Sequence, residues 1–123
     1  MAINIGKDGE DVASSFIKGK GLRILARNYR NKWGEIDIVA EKSGLLYFFE
    51  VKTVLCQKEE EVLHRRPEER VDARKLEKLR KIIRTFLFDK YGTEEKSFSF
   101  KVISVALVPR AKKAFVRTVA DVI

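Results

Sequence analysis

Val12, Ala13, Phe16 and Ile17 recur at helical spacing and Gly19 and Gly21 close the run, so residues 7 to 19 read as a first helix. Beyond it the period becomes strand-like. Leu22 to Tyr29 interleaves Arg23, Arg27 and Arg30 with Ile24, Leu25 and Tyr29, and Asn31-Lys32-Trp33-Gly34 is a turn. Glu35 to Ala40 and Leu45 to Lys52 are two further strand-like runs, joined by the turn signal Lys42-Ser43-Gly44. Residues 55 to 66 form a polar loop with opposed charge blocks, Glu59-Glu60-Glu61 and His64-Arg65-Arg66. Pro67 opens a second helix at a position that proline tolerates. Its Val71, Leu76, Leu79, Ile82, Ile83, Phe86 and Leu87 keep helical spacing, and Gly92 closes it. Phe98 to Val108 is a strand, Pro109-Arg110 a turn, and Ala114 to Val119 a final strand. The expected order is helix, three strands, helix, two strands, an α/β chain.

The hairpin around Ser43-Gly44 carries ionisable groups where a core strand should have none. With a two-residue loop, Asp37 lies opposite Glu50 and Glu35 opposite Lys52, whereas a three-residue turn with a bulge shifts the ladder by one. Alternation then puts Glu35, Asp37, Val39, Phe48, Glu50 and Lys52 on one side, and Ile36, Ile38, Ala40, Tyr47, Phe49 and Val51 on the other. Like charges facing each other across strands destabilise the pair unless they are neutralised. A divalent cation would do this: Mg²⁺ is held by one or two carboxylates with waters and substrate phosphates. Lys52, two residues after Glu50, points the same way and could bind a phosphate or polarise an attacking water.

Length and charge narrow the partners. At 123 residues the chain is expected to be one domain, residues 1–123, and its hydrophobic fraction of 45% is that of a globular protein. Lys and Arg number 26 against 18 Asp and Glu, and the net charge of +8 favours a polyanion. Nucleic acid leads and an anionic membrane surface comes second. No apolar run approaches the length of a membrane span or signal segment, so the expectation is a cytoplasmic protein that takes no membrane. The single Cys56 has no metal-site spacing around it, and His64 reads as a solvated loop residue.

The second helix carries Arg70, Arg74, Lys75, Lys78, Arg80, Lys81 and Arg84 against Glu68, Glu69, Asp72 and Glu77. A solvated polar face accounts for part of this, and the surplus suits phosphate contacts. Arg74, Lys75 and Lys78, with Arg27 and Arg30 of the first strand, are the candidate nucleic-acid contacts. Glu10 lies on or beside the buried face of the first helix. On helix arguments alone, complementing the helix dipole explains it slightly better than chemistry does.

The run Gly6-Lys7-Asp8-Gly9-Glu10-Asp11-Val12-Ala13, then Ile24-Leu25-Ala26-Arg27-Asn28-Tyr29-Arg30, Gly34-Glu35-Ile36-Asp37-Ile38-Val39-Ala40 and Phe49-Glu50-Val51-Lys52, resembles the YraN-like family of small bacterial proteins. That family is similar to archaeal Holliday junction resolvases in the restriction-endonuclease-like, or PD-(D/E)xK, superfamily. The resemblance implies a mixed β-sheet flanked by helices with an αβββαβ core. It implies Asp37 and Glu50 as ligands of Mg²⁺ (or Mn²⁺), joined by Glu10, and Lys52 as the catalytic lysine. It raises the functional reading of Glu10 above the dipole, and leaves Glu35 either a site residue or a partner of Lys52. Relatives that cut both strands of a junction work as dimers, so a homodimer is open. Two departures touch substrate contacts rather than metal ligands. Thr53-Val54 follow Lys52 where the family carries a basic residue two places on, and Ser99-Phe100-Lys101-Val102 stands where it commonly has Arg-Phe-Asp-Val.

The leading expectation is a metal-dependent endonuclease hydrolysing a phosphodiester bond of DNA, branched or otherwise structured DNA included. The alternative is a non-catalytic nucleic-acid-binding or adaptor protein that keeps the nuclease fold. A purely structural interaction domain would explain neither the charge nor the facing acids.

Overall fold

The computed structural model describes residues 2–65 and 72–119. Helix α1 (Ile5–Gly19) starts where Asn4 accepts a hydrogen bond from the Lys7 amide, satisfying one of the free donors of the first turn. Strands β1 (Arg23–Asn31), β2 (Gly34–Lys42) and β3 (Leu45–Leu55) follow, then helix α2 (Ala73–Tyr91) and strands β4 (Phe98–Val108) and β5 (Lys113–Val119). One sheet holds all five in the order β1-β2-β3-β4-β5. Only β3 and β4 run parallel, because α2 carries the chain back between them, and the remaining pairs are antiparallel. The mixed sheet flanked by helices that the resemblance implies is therefore the observed architecture, in the element order read from the residue pattern.

A helix packs on each face of the sheet. On one, Ala13 and Ile17 of α1 meet Ile38, Phe49, Ile103 and Val105; on the other, Leu79, Ile83 and Leu87 of α2 meet Val39, Phe48, Phe100 and Val102. Strand β4, between β3 and β5, is buried almost end to end, as a strand covered on both faces must be. No helix among the described residues is long and apolar enough to cross a membrane.

Three expectations need amendment. The opening of the second helix at Pro67, with Arg70 and Val71, falls outside the described residues. The described helix begins at Ala73, where Asp72 accepts from the Lys75 amide at 2.8 Å. Its end is as expected, with Gly92 at φ 71°. The β2–β3 turn is the two-residue form, with Lys42 paired to Leu45 and both Ser43 (φ 52°) and Gly44 (φ 79°) left-handed. The ladder, however, ends at Ile38↔Phe49, one step short of placing Asp37 opposite Glu50.

The third amendment concerns facing. Ile36 does not share a side with Ile38: it joins the α2 cluster while Ile38 joins the α1 cluster. Asn28, at φ 54°, lies between the pairs Arg27↔Ile38 and Tyr29↔Ile36, and the strand reverses its facing across Asp37. Asn is one of the few residues that enters the left-handed region readily, so the irregularity is local and tolerable.

Candidate active site

Where β2 leaves β3, a side chain takes over the ladder's work. Asp37 Oδ2 accepts the backbone N–H of Val51 at 2.7 Å. Its carboxyl is pushed up to about 6, first by burial and then, against the Val51 hydrogen bond, by the charges of Glu10, Glu50 and Glu35. Glu50 lies on the α2 side of β3, level with Val102 of β4. Its Oε1 accepts from Lys75 Nζ at 2.6 Å, and its Oε2 is buried with no hydrogen-bond partner among the described residues. Asp37 and Glu50 line one cleft of about 310 Å³ with Trp33, Lys75, Lys78 and Leu79.

An orphaned carboxylate oxygen beside an acid that resists ionisation is a site short of positive charge. Mg²⁺ or Mn²⁺ fits that donor set, since two carboxylates with water and phosphate oxygens are a usual environment for it. Glu10 stands apart. Its Oε1 lies 3.8 Å from Arg27 Nη2, and it lines a separate hollow with Lys7, Asp11, Arg27 and Asn28. Among the described residues no three His, Cys, Asp or Glu side chains are close enough to hold a metal together. The structure thus brings Asp37 and Glu50 together, with Glu10 near enough to raise Asp37 by its charge but not joined to the pair.

Lys52, two residues past Glu50 on the same strand and level with Ser104, is half-buried and makes no hydrogen bond or ion pair with the described residues. Glu35 is not its partner. Glu35 bonds Arg30 at 2.7 Å, because the β1–β2 register sets those two side by side. Arg27 is likewise paired, with Asp11 at 3.0 Å. Of the basic residues expected on nucleic acid, Arg74 and Lys78 stay exposed without an ion-pair partner among the described residues, whereas Lys75 is turned into the cleft. Lys75 precedes buried Leu79 by four positions, a spacing that sets the two on one face of the helix and that the expectation of a phosphate contact at Lys75 leaves out.

Helix α1 approaches the site through Gly9. A methyl group added there would lie 2.8 Å from both Cβ and Cγ2 of Thr53, the residue after Lys52, so only glycine permits this distance. Gly9→Ala is expected to cost about 1–3 kcal/mol from overpacking, offset in part by about 1 kcal/mol of helix propensity. A lower urea midpoint would show it; an unchanged one would mean that α1 is less closely seated.

The raised Asp37 also sets a pH dependence. Between the ordinary 3.8 and about 6 the folded protein retains a proton that the unfolded chain has released, so stability falls as pH rises through that window and levels off above it. Urea midpoints in EDTA from pH 4 to 7 should fall more steeply for wild type than for Asp37→Asn. Equal slopes would show that Asp37 ionises normally.

Comparison with known proteins gives a consistent assignment. The model of the uncharacterised protein family UPF0102 matches residues 9–105, which run from within α1 to within β4. A UPF0102 protein of Persephonella marina is 36% identical over 100 residues, covering 81% of each chain. One of Chloroherpeton thalassium is 32% identical over 120 residues, 98% of this chain and 88% of that one. A Campylobacter jejuni relative is 48% identical over 75 residues, a span of 61% of either chain.

Proposed function

The chain belongs to the uncharacterised protein family UPF0102, the YraN-like family, and on that footing we propose that it is a metal-dependent endonuclease acting on DNA, branched or structured DNA included, in the cytoplasm. The observation that carries this reading is the pairing of Asp37, held up at about 6, with a Glu50 whose Oε2 is buried and has no hydrogen-bond partner among the described residues, both in one cleft beside Lys75 and Lys78. Structural acids at a strand end have no reason to be left in that condition.

Asp37 and Glu50 would hold Mg²⁺ or Mn²⁺, which supplies Lewis-acid activation of water and neutralises charge developing at phosphorus. Lys75 keeps one Glu50 oxygen occupied, and the other would be left to hold the cation. Lys52 has no side-chain partner to give up among the described residues, so its ammonium is available to a phosphate oxygen, or to a water aligned for attack. Exposed Arg74 and Lys78 would take backbone phosphates from α2. Glu10, paired with Arg27, acts on the site through its charge.

The non-catalytic binding protein is favoured by a specific observation: Lys75 already neutralises Glu50, and no three-ligand cluster is assembled among the described residues. One experiment separates the two. The protein is incubated with linear, flapped, single-stranded and four-way DNA in Mg²⁺, Mn²⁺ or EDTA. Metal-dependent cleavage of any of these supports the nuclease, and tight binding without cleavage under every condition leaves the adaptor.

A further inference from the structure

The turn that joins β1 to β2 holds the chain's only tryptophan, Trp33, and leaves it 39% exposed at the rim of the acid cleft. Nothing about the turn is loose. The Trp33 N–H donates to Asn31 Oδ1 at 2.9 Å, and Asn31 Nδ2 donates to the Tyr29 hydroxyl at 3.1 Å and to the Ile82 carbonyl of α2 at 3.4 Å. Gly34, at φ 141°, sits so close to α2 that a methyl group there would lie 3.0 Å from Ile82 Cδ1. The indole is therefore presented on a braced support, and ordering it costs a ligand little.

Its surroundings are basic. Lys32 Nζ and Lys81 Nζ lie 5.1 and 4.7 Å from the indole ring. Trp33 also lines a second hollow, with Lys81, Arg84, Thr85 and the exposed Phe88, where Asp89 and Glu94 are the acids. Arg74, Lys78, Lys81, Thr85 and Phe88 follow one another at spacings of four, three, four and three, so they share one face of α2. That face runs from the Lys78 side of the cleft, past Trp33, to an exposed aromatic ring.

An aromatic platform flanked by a basic stripe is the chemistry that binds single strands, because every unpaired base offers a free π-face and every nucleotide a phosphate. A base stacked on an indole outweighs one exposed cation–π contact, so it can displace an ammonium, which is then free for the adjoining phosphate. In a duplex those faces are covered by neighbouring bases. We infer that Trp33 is a stacking platform for an unpaired base and that the α2 stripe carries the phosphates of its strand, so that the chain takes single-stranded DNA past the Asp37–Glu50 cleft. This rests on the nucleic-acid reading given above and names its substrate class.

The test uses the full chain in EDTA, so that binding is read without cleavage. A twelve-nucleotide oligothymidylate should quench Trp33 emission saturably, and the matching blunt duplex should not. With a labelled oligonucleotide followed by anisotropy, Trp33→Ala should weaken single-strand binding about 5- to 100-fold. Trp33→Phe should recover most of the loss, and duplex affinity should be unchanged in both variants. Far-UV circular dichroism confirms that each variant is folded. Unchanged emission while the labelled strand binds, or equal single-strand affinity of wild type and Trp33→Ala, overturns the platform. Tighter binding of the matching oligouridylate overturns the assignment to DNA. Cleavage of duplex in Mn²⁺ with no Trp33 response removes the platform and keeps the nuclease. A Trp33 response without cleavage in any metal does the reverse, and no binding to any strand removes both.

Discussion

Lys52→Ala should lower metal-dependent DNA cleavage by about 10²–10³-fold, the usual cost of removing one group that stabilises transition-state charge. Affinity for metal and for DNA should change little. Lys52 is half-buried on β3, two residues past Glu50, and its side chain makes no hydrogen bond or ion pair with the described residues, so its loss leaves neither carboxylate bare. A group that serves only binding would lower affinity and rate together, whereas one that acts in the transition state lowers the rate at saturating DNA. Single-turnover rates with protein in excess make the distinction. Equal rates for the two proteins would take the catalytic role away from this lysine.

The second large effect is on the metal's contribution to stability. Wild type should melt higher in saturating Mg²⁺ or Mn²⁺: a ligand at a hundred times its Kd adds about 2.7 kcal/mol, on the order of 10 °C for a chain of this size. Asp37→Asn should lose most of that rise. Without metal at neutral pH it should be as stable as wild type or more so, because Asp37 ionises there against burial and three neighbouring acids. Asn retains an oxygen that can accept the Val51 N–H, so the strand end need not open. Thermal melts of both proteins in EDTA and in metal check this. A variant that responds like wild type would move the metal elsewhere.

The parts of the molecule that follow a period were legible before the structure. The hairpin turn at Ser43-Gly44, the closing Gly92 and the strand Phe98–Val108 rest on alternation, turn chemistry and helical spacing, and each is where those signals put it. The change of facing in β2 follows no period. Between Ile38 and Ile36, opposite the left-handed Asn28 of β1, the facing reverses and Ile36 joins the α2 side, which alternation alone assigns to the other. The same limit applied to the site. Asp37 and Glu50 converge as the hairpin required, but the end of the ladder at Ile38↔Phe49 depends on Asp37 taking the Val51 N–H in place of a strand bond. Glu35 found Arg30 because β1 runs nearer to it than Lys52 does, a choice set by three strands rather than two. Lys75 could have been placed from its spacing to Leu79; its bond to Glu50 needed the crossover from β3 to α2.

The account turns on whether Asp37 and Glu50 together bind a divalent cation, and Mn²⁺ reports this directly because its free aqua ion has a strong electron paramagnetic resonance signal that is lost on binding. Titrated at pH 7.5, wild type should remove Mn²⁺ from that signal and release it on excess Mg²⁺. Glu50→Gln and Asp37→Asn should each leave the signal close to that of buffer. Wild type that takes up no Mn²⁺, or variants that take it up as wild type does, would contradict the account.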